Sequence, residues 1–139
     1  MEVPRCPASE EMDFRVRLRT RWSDEDNHAV LNNAVYATLL EEARLAWCTG
    51  IGAMHAGRFP FVLAQSNVRF LAPGRGGTEV EVELATTHVG RRSFTQAYRV
   101  TELSSGTVWC EAEALLVAWD QEARRSRELP ADFRASLSE

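Results

Sequence analysis

A chain of 139 residues with 45% hydrophobic and 26% charged residues is long enough for one domain with a real core, and its composition is ordinary for a globular protein. Its net charge of −4 argues against general nucleic-acid binding, which calls for a basic footprint. All 16 basic residues are arginine, so guanidinium forks are the only permanent cations available to hold a phosphate.

Residues 1 to about 12 are polar, with no apolar core of the kind a signal peptide needs, and are read as a flexible N-terminal arm before a single domain over residues 13–139. Cys6, Cys48 and Cys110 are odd in number, widely spaced and in no CxxC pattern, which suits free thiols in a reducing compartment. With no membrane-spanning segment following, a cytoplasmic location is expected. Phe14 to Trp22 alternates strictly, Phe14, Val16, Leu18 and Trp22 opposite Arg15, Arg17, Arg19 and Arg21, which predicts a half-buried strand.

An acidic loop, Ser23-Asp24-Glu25-Asp26, then runs through Asn27 and His28 into a helix entered by Asn32 and Asn33. Asparagine is a favoured N-cap because its side-chain oxygen accepts from an unpaired amide of the first turn. From Ala34 to Trp47 the polar residues are Thr38, Glu41, Glu42 and Arg44, and the first three form one narrow stripe. A helix apolar around most of its circumference is predicted to be buried, and its length falls well short of a bilayer span.

Thr49 to Pro60 carries three glycines and a proline and reads as a connecting loop. Strands follow over Phe61–Leu71, Thr78–Val89, Ser93–Glu102 and Val108–Trp119, the middle pair joined at Gly90-Arg91-Arg92 as a hairpin. The polar tail from Asp120 predicts a short terminal turn. One strand, one long helix and a meander of strands make an α+β domain: a five-stranded antiparallel sheet curled over a central helix. In the last strand Trp109, Leu115, Val117 and Trp119 on one side and Cys110, Ala112, Ala114, Leu116 and Ala118 on the other are both apolar, so the uncovered part is expected to meet a second subunit.

The chemistry concentrates ahead of the helix. Carboxylates there are stabilised by the positive helix end, and the free amides of the first turn can hold a developing oxyanion, the combination acyl transfer needs. Asp26 reads as nucleophile or general base, or as a solvated or capping carboxylate; Asp24 reads as a loop-shaping residue. His28 either polarises a substrate and pairs with Asp26 or lies on the surface. Glu41 reads as paired with Arg44 at i+3 or lining a wet interface, with a catalytic role as the sharper alternative. Tyr36 reads as a packed residue with its hydroxyl satisfied, against an acid role. Three dispersed histidines without cysteine partners give no metal-site pattern.

Asp24-x-Asp26, Asn32-Asn33, Tyr36, Glu41-Glu42-Ala43-Arg44, Ala72-Pro73, Gly90-x-x-Ser93 and Leu129-Pro130 with Arg134, in this order and spacing, resemble the hotdog-fold acyl-CoA thioesterases of the 4-hydroxybenzoyl-CoA thioesterase type. The resemblance covers nearly the whole chain. It implies hydrolysis of acyl-CoA to free acid and CoA, no cofactor, and a homodimer or homotetramer with active sites at subunit interfaces. It carries the catalytic carboxylate to Asp26 and the oxyanion amides to Asn33 and Ala34. Arg91 and Arg92 become candidates to grip the CoA phosphates, with solvated turn arginines as the plain alternative, and Ser93 a candidate pantetheine contact. The chain departs from the pattern at Ala29-Val30, where family members often carry Gly-His. Two other functions stay open: a non-catalytic acyl-CoA-binding hotdog protein, and a hotdog hydratase or dehydratase, which a lone His28 fits poorly. No nucleic-acid or membrane partner is expected.

Overall fold

The computed structural model describes residues 6–137. In chain order it contains β1 (Phe14–Arg19), α1 (Asn33–Gly50), β2 (Phe61–Phe70), β3 (Glu79–Val89), β4 (Ser93–Glu102), β5 (Val108–Asp120), the two-residue β6 (Arg125–Ser126) and α2 (Ala131–Leu137). The sheet is antiparallel, in the order β1-β3-β4-β5-β2, with β6 added beside β5. Strands β3, β4 and β5 follow one another as hairpins, which leaves β1 and β2, separated by the helix in sequence, to take the two edges. This is the hotdog arrangement of a curled sheet around one long helix.

The core forms where period-two strand patterning meets one face of α1. Val80, Val82 and Leu84 of β3, Phe94, Tyr98 and Val100 of β4, and Ala112, Ala114 and Leu116 of β5 pack with Leu39, Leu40, Ala43, Trp47 and Cys48 of the helix. At the C-terminal end of α1, Trp47, Phe61, Phe94 and Phe133 form an aromatic cluster with ring centroids 5.3 to 6.4 Å apart. The opposite sheet face is a ladder of charge over β1, β3 and the start of β5, and turns apolar along the rest of β5, where Leu115, Val117 and Trp119 are half-buried. Arg15, Arg17 and Arg19 stand across from Glu83, Glu81 and Glu79, and Arg99 joins Glu111, which also takes Arg69. Residues 6–12 of the expected arm lie on this face, where Met12 is buried against Ala85 and Ala97 and Arg99 donates to the Pro7 carbonyl.

Several expectations are corrected. Trp22 does not continue the apolar face of β1. The strand ends at Arg19, and Trp22 sits on a 3-10 turn with 84% of its surface exposed. A register shift beside Val100 puts Trp109 and Cys110 together in the core rather than on opposite faces, because a bulge spends an extra residue on one strand. The tail is not a bare turn. Leu129, Phe133 and Leu137 are buried, and that spacing of four folds the segment as α2 against the aromatic cluster. Helix α1 is buried on one face only: Ala34, Ala37, Thr38, Glu41, Glu42 and Leu45 lie exposed along the other.

Candidate active site

Residues 24–32 form a small hairpin that delivers the acidic loop to the helix N-terminus. The Asn32 N–H donates to the Asp24 carbonyl and the Asp26 N–H to the Val30 carbonyl, both at 2.8 Å, with Glu25 bridged to Leu31 between them. Its tip is tight. Ala29 takes the left-handed conformation, φ 59°, and donates to the Asp26 carbonyl at 3.1 Å. A glycine adopts that φ without strain and an alanine does not, which gives a physical reason for glycine in the family pattern at this position.

Within this hairpin the two aspartates have different surroundings. Asp24 is buried and accepts from the Arg21 amide at 2.7 Å and from its guanidinium at 2.9 and 3.1 Å. The Arg21 amide, helped by the guanidinium, holds its carboxyl below the usual range. Asp24 therefore shapes the loop. Asp26 is half-buried; its Oδ1 accepts from the His28 amide at 2.7 Å, and its Oδ2 has no partner among the described residues. The His28 side chain is exposed and makes no hydrogen bond among the described residues.

The helix presents its first turn beside this loop. Asn32 caps it, its Oδ1 accepting from the Ala34 N–H at 2.9 Å. The Ala34 amide is thus committed to the cap, whereas the Asn33 N–H has no partner among the described residues. Of the two amides expected to hold an oxyanion, one is open among the described residues.

Gly74, between β2 and β3, fastens the loop to the core, a role that a reading of Ala72-Pro73-Gly74 as a strand end does not reveal. Its carbonyl accepts from Leu31 N–H at 2.9 Å and its own N–H donates to the Tyr36 hydroxyl at 3.1 Å. A Cβ there would stand 2.7 Å from the Trp109 ring and 2.8 Å from the Tyr36 oxygen, so only glycine fits. The Tyr36 ring meets Phe70 edge-on at 5.0 Å, and burial raises the phenol pKa, so the hydroxyl keeps its proton at neutral pH.

Glu41 lies two turns on, exposed, lining with Glu42, Leu45, Met54, Arg58 and Phe59 a cavity of about 280 Å³. It does not pair with Arg44. Arg44 falls on the core face of the helix, where it is 5% exposed; its Nη1 donates to the Tyr98 hydroxyl at 3.2 Å and its guanidinium lies 5.6 Å from that ring's centroid. The Tyr98 hydroxyl in turn donates to Gln96 Oε1 at 2.7 Å. A buried cation with neutral partners was invisible in the EEAR pattern, because which face the arginine takes depends on where the sheet lies.

Arg91, Arg92 and Ser93 are not brought to Asp26. They sit at the β3–β4 turn, beside the start of β2 and the end of β5, where the Ala118 N–H donates to the Arg92 carbonyl and Phe61 pairs with Ala118. The acidic loop joins the other end of the sheet, at Gly74 and Gly76. The ten residues of β4 span the gap, roughly 30 Å at about 3.3 Å per residue. Both arginines hold the C-terminal segment: Arg91 pairs with Glu128, and Arg92 Nη2 donates to the Ser126 carbonyl at 3.0 Å. Among the described residues no three His, Cys, Asp or Glu side chains come together in a way that could hold a metal ion.

Solved structures of the same fold are numerous. A thioesterase from Thermus thermophilus, complexed with coenzyme A and Zn, is 30% identical, with a TM-score of 0.80 over 92% of this chain and 94% of that one. The PA2801 protein of Pseudomonas aeruginosa is 28% identical, with a TM-score of 0.79 over 89% of this chain and 97% of that one. Slr0204 of Synechocystis, a 1,4-dihydroxy-2-naphthoyl-CoA thioesterase, is 17% identical at a TM-score of 0.77 over 89% and 94%, and shares the fold. Among curated proteins, none matches the chain significantly. The family model of the thioesterase-like superfamily matches residues 20–137, which takes in the acidic loop, the capped helix, the whole meander and α2. The chain belongs to the thioesterase-like superfamily.

Proposed function

We propose that the protein hydrolyses acyl-CoA thioesters to free acid and CoA without a cofactor, with Asp26 as the catalytic carboxylate. The observation that carries this is local: a half-buried carboxylate with one unengaged oxygen lies two rungs up a hairpin whose base, Asp24 against Asn32, meets a helix N-terminus whose first amide, Asn33, is open. The open amide and the helix dipole favour negative charge on the thioester oxygen as it develops. Ala34 joins when the Asn32 side chain turns away from its cap. Asp26 acts as nucleophile or as the base that delivers water; His28 is exposed beside it, Tyr36 serves from the core by holding Gly74 under the loop, and Glu41 stands further along.

The working unit in this reading is a dimer, alone or paired into a tetramer. Strand β2 is an unpaired edge on which Leu63 and Phe70 are about half exposed, next to the exposed face of α1. Two copies joined antiparallel along β2 bury both surfaces. The two-fold axis then brings the β3–β4 turn of one copy to the end of the sheet where the Asp26 of the other lies. Arg91 and Arg92 accordingly serve the partner's thioester site, taking the CoA phosphates while Ser93 contacts the pantetheine arm. Three free cysteines suit a reducing, cytoplasmic setting.

The test is Asp26→Asn, which keeps shape and removes charge. It is expected to lower kcat by about 10²-fold or more while acyl-CoA still binds. Near-full turnover in Asp26→Asn together with loss in Glu41→Gln would move the chemistry to the helix.

A further inference from the structure

The β3–β4 turn is occupied by a carboxylate from its own chain. Arg91 meets Glu128 through Nε at 2.8 Å and through Nη2, a fork on one oxygen. Arg134 Nη2 donates to the Gly90 carbonyl at 2.7 Å, fixing the turn, and Arg92 is held by Ser126 two residues before Glu128. Leu129, the next residue, is buried, and its N–H donates to the Arg91 carbonyl at 3.1 Å, so the backbone that carries Glu128 is anchored. The carboxylate end, however, is solvent-facing: the Arg91 and Glu128 side chains are 79% and 55% exposed. The hydrogen bond from Arg91, with the charges of Arg91, Arg92 and Arg134, holds the Glu128 carboxyl below its usual range.

A guanidinium fork suits carboxylate and phosphate equally, and a pair this exposed is weak enough to be exchanged. We infer that Glu128 is a resident counter-anion of the phosphate-binding turn, which the nucleotide phosphate of a CoA ligand must displace from Arg91. The inference rests on the reading of Arg91 and Arg92 as the phosphate site. Glu128 then sets ligand affinity without touching the thioester chemistry. Because the backbone on both sides is pinned, displacement needs only a rotamer change, and the tail stays docked.

The test compares Glu128→Gln, Arg91→Ala and the double variant on an acyl-CoA and on the matching acyl-pantetheine thioester, which lacks the nucleotide phosphates. Glu128→Gln is expected to lower KM for the acyl-CoA about two- to fivefold, the range of an exposed ion pair, with kcat and the pantetheine substrate unchanged. Adenosine 3′,5′-bisphosphate is expected to inhibit that variant correspondingly better. In the Arg91→Ala background the substitution has no further effect. An unchanged or higher KM in Glu128→Gln overturns the inference, as does an equal drop with Arg91 absent, which marks general charge removal. If Arg91→Ala itself leaves KM for the acyl-CoA unchanged, the underlying phosphate site is what fails.

Discussion

The separation of Asp26 from Arg91 and Arg92 yields a decisive experiment on how the site is built. Helix α1 has 18 residues, which at 1.5 Å each puts its two ends about 27 Å apart, and β4 gives a similar span. If one ligand uses both groups across the β2 seam, each site takes its carboxylate from one copy and its arginines from the other. Asp26→Asn homodimers and Arg91→Ala/Arg92→Ala homodimers are then each impaired, the first by about 10²-fold in kcat and the second in KM. Unfolding and refolding them together in equal amounts makes about half of the dimers mixed. Each mixed dimer has one site with both mutations and one with neither, so about a quarter of all sites become wild type. Turnover at acyl-CoA concentrations below KM is expected to rise to about a quarter of the wild-type value after co-refolding, and not after simple mixing on ice. A chain that completes its own site regenerates no intact site by exchange. Activity that stays at the average of the two parents would therefore refute the shared site, as would a stable monomer by light scattering.

Other outcomes follow from single contacts. Asp24→Asn is expected to leave kcat nearly unchanged but to lower Tm at neutral pH; since the folded carboxyl lies below its ordinary value, that stabilisation is present above about pH 4 and fades as pH falls further, so wild type and variant converge in acid melts. Tyr98→Phe removes the hydroxyl partner of buried Arg44 and leaves Gln96 Oε1 unpaired, which should lower unfolding free energy by about 1–3 kcal/mol in urea titrations. Arg44→Leu should cost less than Tyr98→Phe, because it removes the buried charge along with its need for a partner. Ala29→Gly relieves a left-handed alanine and is expected to raise stability by about 1 kcal/mol, read as a shift in urea midpoint at constant slope.

Much of this architecture was written in local pattern. Val80, Val82 and Leu84 alternate with glutamates, so β3 could bury one face only one way, and the structure buries those three side chains completely. Asn32 ahead of an apolar run announced the helix start, and it caps there. The order of acidic loop, asparagine pair and meander pointed to the superfamily that the family model matches. The strand and cap signals survive in sequence because each depends on residues within a turn or a strand of one another, and the family signal because the order of segments is itself a property of the sequence.

What tertiary structure alone decided depends on neighbours far along the chain. Trp22 reads as a core residue by alternation, yet β1 stops three residues earlier, where Thr20 turns to bond the Arg75 carbonyl. Trp109 enters the core because of a register shift against β4, and a shift in pairing leaves no mark in the hydrophobicity of either strand. Arg44 was matched with Glu41 by helical spacing, but Tyr98, 54 residues away, offered a hydroxyl and a ring on the buried face. The placement of Asp26 and Arg91 at opposite ends of the sheet is likewise a property of strand order. Covalent spacing limits which groups can be near one another, while the packing of helix against sheet determines which of them are.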